Sequence, residues 1–196
     1  MLEIDKIKDE ALIRRFQDGD SSAFEILLAR YKERIYNFIY RFVYDVDLAQ
    51  DLTQDTFLKL FTHKNSYKEI AKFSTWLYTI AQNLAKTELR KKARRKTYAV
   101  SDLSREDREF AISSNDNVVN DKESSVRDFD IIMMECLHEL SEEFQIMIIL
   151  RDFQELSYDV ISRIMEIPVG TVKSRINRGR IKLVGLLKER GYSKNE

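Results

Sequence analysis

An all-α chain is expected: two small helical domains joined by a flexible acidic linker, the second containing a helix-turn-helix. Three observations predict it. Five glycines and one proline in 196 residues are too few for the many turns of a β-rich fold. Apolar residues recur at three- and four-residue steps over residues 8–96, and again from about 131 to 190. Between these blocks the composition shifts to Ser, Asp, Asn and Glu with few large apolar side chains. Such a segment cannot bury enough surface to offset the entropy of ordering it. The expected divisions are residues 1–97, a linker over 98–130, and residues 131–196.

In the first block, Asp20 or Ser21 is placed to cap a helix over about 22–43, where Tyr31, Ile35, Phe38, Ile39 and Phe42 make one apolar face. Asp45 or Asp47 is placed to cap the next, about 47–62. Ser74 or Thr75 stands near the start of a third, which runs through Leu89 into a basic tail. In the second block the expected helices are Ser141 to Leu150, Ser157 to Glu166 and Thr171 to Leu187, the last two punctuated by Pro168 and Gly170.

Composition excludes several classes. The lone cysteine, Cys136, rules out an internal disulfide framework, and with it the two distant histidines, His63 and His138, make no zinc pattern. Cys136 and His138 stand two apart on a helix and point to different faces, with no Gly-rich loop or carboxylate constellation beside them, so no catalytic residue, cofactor or metal is expected. The longest aliphatic run, Ile146 to Leu150, is far short of the ~20 residues of a membrane span, and no signal-peptide block opens the chain. A cytoplasmic protein without membrane insertion is the expectation.

Net charge is zero, with 33 bases against 33 acids, but the charges are segregated. Residues 86–98 carry seven basic side chains and one acid, as do residues 171–190; residues 101–130 carry nine acids and four bases. Two dense basic blocks point to two contacts with a polyanion, or else to two solvated helix faces.

The segment LSYDVISRIMEIPVGTVKSRINRGRIKLVGLL separates these readings. Ser157 caps a helix with inner positions Val160, Ile161 and Ile164. IPVG breaks it, with Gly170 available for a positive φ, and Thr171 is placed to cap a second helix. On that helix Val172, Ile176, Gly179, Leu183 and Leu187 share one side, and Lys173, Ser174, Asn177 and Arg178 the other. A tight turn, an apolar underside and a basic, hydrogen-bonding upper face match a recognition helix in a major groove. IPVGTVKSRINRGRIKL resembles the C-terminal helix-turn-helix of bacterial extracytoplasmic-function (ECF) RNA polymerase sigma factors. The resemblance implies binding of the minus-thirty-five promoter element through Thr171, Lys173, Ser174, Arg175, Asn177 and Arg178.

In DLAQDLTQDTFLKLF the inward face is Ala49, Leu52, Thr56, Phe57 and Leu60, while Asp51, Gln54, Asp55, Leu58 and Phe61 point away. Large apolar groups flanked by acids suit a docking patch, unless another helix of the domain covers them. The segment resembles the sigma-family helix that docks on the β′ clamp helices of core RNA polymerase. That likeness implies Asp51, Gln54, Asp55, Leu58 and Phe61 as polymerase contacts.

KFSTWLYTIAQNLAKTELRKKARRK sets a core stripe of Phe73, Leu77, Ile80, Ala81 and Leu84 against Thr75, Tyr78, Thr79, Gln82, Asn83, Lys86 and Arg90. Amides and hydroxyls suit base edges and cations suit phosphates. Trp76 lies on the border, either a stacking wedge or core. The segment is similar to the sigma-family region that recognises and melts the minus-ten element. This implies minus-ten contacts from Trp76, Tyr78, Thr79, Gln82, Asn83, Lys86, Arg90, Arg94 and Arg95, with Lys91, Lys92 and Lys96 as further phosphate contacts and the loop Lys64 to Lys72 holding a flipped base.

The resemblance spans about 8–96 and 131–190. The chain lacks room for the extra domains of primary sigma factors, as is typical of the ECF group. It implies promoter DNA and core polymerase as partners, commonly an anti-sigma factor, and an acidic linker lying in basic channels of polymerase, or serving as a plain tether. The competing reading is a polymerase-independent helix-turn-helix repressor or activator, which predicts tight operator binding by a dimer.

Overall fold

The computed structural model describes residues 7–102 and 124–192, without the side chains of 96–102 and 124–128. The described residues are helical with no strand, in two packed groups. The acidic segment 103–123 lies outside them.

The first group holds α1 (Asp9–Gln17), α2 (Ser21–Val43), α3 (Val46–Thr62), a 3₁₀ turn (Lys64–Ser66) and α4 (Phe73–Asp102). Asp20 caps α2, its carboxylate accepting from the Ser22 amide at 3.0 Å; the hydrogen bond from the Ser22 hydroxyl (2.6 Å) and the pairing with Arg15 lower its pKa to about 2. Asp45 caps α3, accepting from Leu48 N at 3.1 Å. Tyr44 ends α2 with φ +52°, which lets the chain reverse within two residues. Leu27, Tyr31, Ile35, Phe38 and Phe42 of α2 are buried against Leu12, Ile13 and Phe16 of α1, Leu52 and Leu60 of α3, and Phe73, Leu77 and Ala81 of α4. Each fully buried large apolar side chain contributes about 1.5–3 kcal/mol. The Tyr31 hydroxyl donates to Asp9 Oδ2 at 2.6 Å, and burial with that carboxylate raises its pKa.

The second group holds α5 (Ser124–Glu139), α6 (Glu142–Ile148), a π-turn (Ile149–Phe153), α7 (Tyr158–Met165) and α8 (Val169–Glu189). Gly179 brings α8 against α6: a Cβ there would stand 3.0 Å from Ile148 Cδ1 and 3.2 Å from Phe144 Cβ.

Four features differ from the sequence expectations. Helix α1 was not separately expected, and α4 and α5 reach to Asp102 and back to Ser124, inside the segment read as linker. The helix from Ser141 is continued by the π-turn, whose wider winding carries Gln154 inward. Gly170 is helical, and the positive φ of the helix-turn-helix falls on Glu166 (+55°), where the Glu166 and Ile167 amides both close on Ser162 O. Thr171 therefore lies inside the first turn of α8, and Pro168 holds the capping position.

Candidate polymerase and promoter interfaces

The inward positions read for α3, Ala49, Leu52, Thr56, Phe57 and Leu60, are all buried. Thr53 and Thr56 are buried too, each hydroxyl donating to the carbonyl four residues back, Ala49 O and Leu52 O. On the opposite face Asp51, Gln54 and Asp55 are exposed, and Leu58 is 59% and Phe61 50% exposed. Phe61 is nonetheless fixed, its ring 5.4 Å from Phe16 and 5.3 Å from Phe24. Phe24, Leu28, Phe57, Leu58 and Phe61 wall a shallow apolar groove between α2 and α3 with Gln54 at its rim. The domain's core is complete without Leu58 and Phe61, so their exposure suits association.

Helix α4 leaves a pinned loop. Gln17 Nε2 donates to Lys64 O (2.7 Å) and Tyr67 O (3.1 Å), Lys64 Nζ to Phe16 O (2.6 Å), and the Phe73 amide to Glu10 Oε1 (3.1 Å). Trp76 is half-buried with its ring 5.4 Å from Tyr67: one side packs, and the other lines a cleft with Lys68, Ile70 and Thr79. Of the assigned face, Asn83, Arg90, Arg94 and Arg95 are exposed and Thr79 and Lys86 half-buried, while Tyr78 and Gln82 are buried. Lys91 pairs with Glu88 and Lys92 with Asp45; the side chain of Lys96 lies outside the described residues.

Part of the cover comes from the second helical group. Tyr78 packs on Phe38 and donates its hydroxyl to Gln154 Oε1 at 2.7 Å; burial pushes its pKa up to about 12. Helix α7 packs on α4. Further along the seam, His138 Nε2 lies 3.1 Å from Arg41 O, its ring stacks on Tyr44, and the Arg41 guanidinium lies over the Phe153 ring. A helical wheel finds the polar face of α4 but carries no signal for a cover contributed from the other end of the chain.

On α8 the inward positions Val172, Ile176, Gly179, Leu183 and Leu187 are all buried, and Lys173, Ser174, Asn177 and Arg178 are exposed together. Arg178 lies along its own helix, Nε donating to Ser174 O at 3.3 Å. Thr171 is half-buried, and Arg175 turns aside to pair with Glu143 at 2.8 Å. Ile181 and Val184 extend the exposed face as an apolar strip that sequence reasoning did not single out. Among the described residues no group of His, Cys, Asp or Glu is placed to hold a metal, and no helix is long and apolar enough to cross a membrane.

A helical domain with an open docking groove, linked to a helix-turn-helix domain with an open basic face, defines a bipartite transcription factor. Residues 27–95 match the family model for sigma-70 region 2, and residues 131–183 that for sigma-70 region 4. The chain is 37% identical to the RNA polymerase sigma-H factor of Pseudomonas aeruginosa, covering 88% of this chain and 90% of that one. It is 34% identical to the ECF RNA polymerase sigma-E factor of Escherichia coli K12, covering 90% and 92%. The fold is similar to that of CnrH solved with the cytosolic domain of CnrY (TM-score 0.68, 21% identity, 92% of this chain and 97% of that one). It is also similar to the sigma factor RpoE solved with the anti-sigma factor NepR from Bartonella quintana (TM-score 0.65, 24% identity, 84% and 96%). The chain belongs to the ECF group of the sigma-70 family of RNA polymerase sigma factors. As a sigma factor it binds core RNA polymerase and directs initiation at promoters through the minus-ten and minus-thirty-five elements.

Proposed function

We propose a division of labour among three helices. Helix α3 docks on polymerase through Asp51, Gln54, Asp55, Leu58 and Phe61. Helix α4, with the loop before it, takes the minus-ten strand: Trp76 offers a stacking face, Thr79 and Asn83 offer hydrogen bonds to bases, and Lys86, Arg90, Arg94 and Arg95 hold phosphates, while Tyr78 and Gln82, buried in this structure, support that face from beneath. Helix α8 enters the major groove at the minus-thirty-five element through Lys173, Ser174, Asn177 and Arg178, with Thr171 at its entry and Arg175 positioned by Glu143. The chemistry of RNA synthesis belongs to polymerase, and this chain contributes recognition and strand opening, in the cytoplasm. An anti-sigma factor suits such a chain as a regulator.

The observation that carries the reading is the exposure of Leu58 and Phe61 beside Asp51, Gln54 and Asp55 in a domain whose core is otherwise closed. A repressor has no use for that patch. The test is run-off transcription with purified core polymerase over a genomic promoter library. The wild-type chain yields promoter-specific transcripts, and Gln54→Ala with Asp55→Ala abolishes them while helical circular dichroism is unchanged. Normal transcription by that variant removes the docking assignment. Tight operator binding without polymerase, and no run-off product, establishes the repressor reading instead.

A further inference from the structure

Resting on the assignment of the loop before α4 to the minus-ten strand, we propose that Gln17 is a positioning residue for minus-ten reading. It lies in none of the three proposed interfaces. From the end of α1 it holds the shape of the loop that meets the bases.

Loop 67–72 is closed on itself by two hydrogen bonds, from the Tyr67 hydroxyl to Ala71 O (2.8 Å) and from the Ile70 amide to Lys68 O (2.6 Å). Its tip is open: Lys68, Glu69 and Ile70 are exposed, Ile70 at 83%. Ordering such a tip costs conformational entropy, so its path depends on contacts from a rigid neighbour.

That neighbour is α1. Gln17 Nε2 donates to Lys64 O (2.7 Å) and Tyr67 O (3.1 Å), the carbonyls on either side of the 3₁₀ turn Lys64–Ser66. One amide thus fixes where the chain leaves the turn and enters the loop. Arg14 pairs with Glu69 at the tip (2.6 Å), and Glu10 accepts from the Phe73 amide where the loop ends and α4 begins. Glu10, Arg14 and Gln17 stand at i, i+4 and i+7, so one helix face addresses the start, the tip and the end of the loop. The three differ in weight. Arg14 and Glu69 are both at least half exposed, which makes their pairing weak. Glu10 holds the first turn of α4 and not the path before it. Gln17 is half-buried, and its loss removes a donor from two backbone carbonyls.

The consequence is carried by Tyr67. Its ring is buried and packs on Phe73 (6.0 Å) and Trp76 (5.4 Å). A backbone turn at Tyr67 is passed to Lys68, Ile70 and Ala71, which share with Trp76 and Thr79 the cleft beside α4. Recognition groups work when held to about 0.5 Å by groups behind them. Helix α1 precedes residues 27–95, which match the family model, and its burial through Leu12, Ile13 and Phe16 gives it a seat independent of the loop.

The test uses holoenzyme assembled from core polymerase and the full-length chain, with a promoter library randomised over the minus-ten positions and a fixed minus-thirty-five element. Sequenced transcripts rank the bases. Gln17→Met removes both hydrogen bonds at nearly constant length. It is expected to compress the ratio between the best and worst base at the most selective position roughly fivefold, the range that one lost hydrogen bond commands. Ile13→Val trims the core contact of the same helix and leaves Gln17 in place; it lowers the thermal midpoint and keeps the wild-type ranking. If circular dichroism shows that Gln17→Met loses helix, Gln17→Glu takes its place, setting a carboxylate where the carbonyls need a donor. An unchanged ranking in the folded variant, or an equal compression in Ile13→Val, overturns the positioning role. Lys68→Ala with Ile70→Ala tests the loop reading separately. A ranking moved by the tip variant but not by Gln17 removes this inference alone, and a ranking moved by neither removes the assignment of the loop on which it rests.

Discussion

Helices α4 and α8 carry the same kind of face and meet opposite fates. Each has a continuous apolar side packed into its own domain and an opposite side of hydroxyls, amides and cations. On α8 that polar side is open to solvent from Lys173 to Arg178. On α4 it is divided: Asn83, Arg90, Arg94 and Arg95 are exposed, and Tyr78, Thr75 and Gln82 are buried, Tyr78 against Phe38 of its own domain and Gln154 of the second. Periodicity therefore identifies which side of a helix its own domain does not use. It does not identify whether another part of the chain uses it.

The inner side of α8 offers the largest effect by which to sharpen this contrast. Gly179→Leu forces a side chain into the space held by Ile148 Cδ1 and Phe144 Cβ, while Gly185 has nothing within 4 Å of an added Cβ. Gly179→Leu is expected to destabilise the second domain by about 3 kcal/mol, the upper end for overpacking. Gly185→Ala is expected to stabilise it by up to about 1 kcal/mol through helix propensity. Thermal unfolding by circular dichroism reads both. Equal effects at the two glycines mean that the α6–α8 contact is looser than its distances indicate.

The outer side of α8 gives the next effect. Arg178→Ala removes an exposed side chain whose contacts are with Ser174 of its own helix, so stability stays within about 0.5 kcal/mol. Binding to minus-thirty-five duplex is expected to weaken roughly tenfold, with the salt slope reduced by about one counterion if the guanidinium holds a phosphate, or with base preference relaxed at one position if it reads a base edge. Footprinting and salt titration distinguish these. An unchanged footprint removes Arg178 from the interface.

Both domains were legible in the sequence because each is built on helical spacing with polar caps. Asp20, Asp45 and Ser157 cap the helices they were read to cap, and the inward sets of α3 and α8 are buried residue for residue. Leu58 and Phe61 were undecided by spacing alone, since an apolar residue off the main stripe is equally compatible with a second internal contact; Leu58 is open to solvent, whereas Phe61 is half exposed and also packs on Phe16 and Phe24. The turn of the helix-turn-helix was misplaced because glycine is the usual residue at positive φ, yet the local closure on Ser162 puts Glu166 there. For α4, Ile80 and Leu84 are half-buried rather than core while Tyr78 is fully buried. Its buried arc is widened by a contact from Gln154, 76 residues away in sequence, and no local pattern encodes a contact at that separation.

The seam between the domains supplies a gentler test, through pH. His138 is packed among Arg41 of α2, Tyr44 at the end of α2 and Gln145 of α6, while Glu135 and Glu139 of its own helix pair with Arg190. Its Nε2 faces the Arg41 carbonyl and its Nδ1 lies 3.1 Å from Gln145 Nε2, which suits a neutral ring donating to the carbonyl and accepting from the amide. Burial lowers its pKa below the ordinary histidine value, against the raising effect of the Arg41 carbonyl. A base whose pKa falls on docking binds fewer protons docked than released, so docking is fully supported above the ordinary value near 6.5 and loses support as pH falls through it. Acrylamide quenching of Trp76 is therefore expected to rise as pH drops from about 7.5 to about 5.5. His138→Gln, which keeps a hydrogen-bonding side chain but does not titrate, flattens that dependence. A pH profile identical in the two proteins shows that the docked and released states hold this imidazole in equivalent surroundings, and the polar seam along α2 then plays no part in keeping α4 covered.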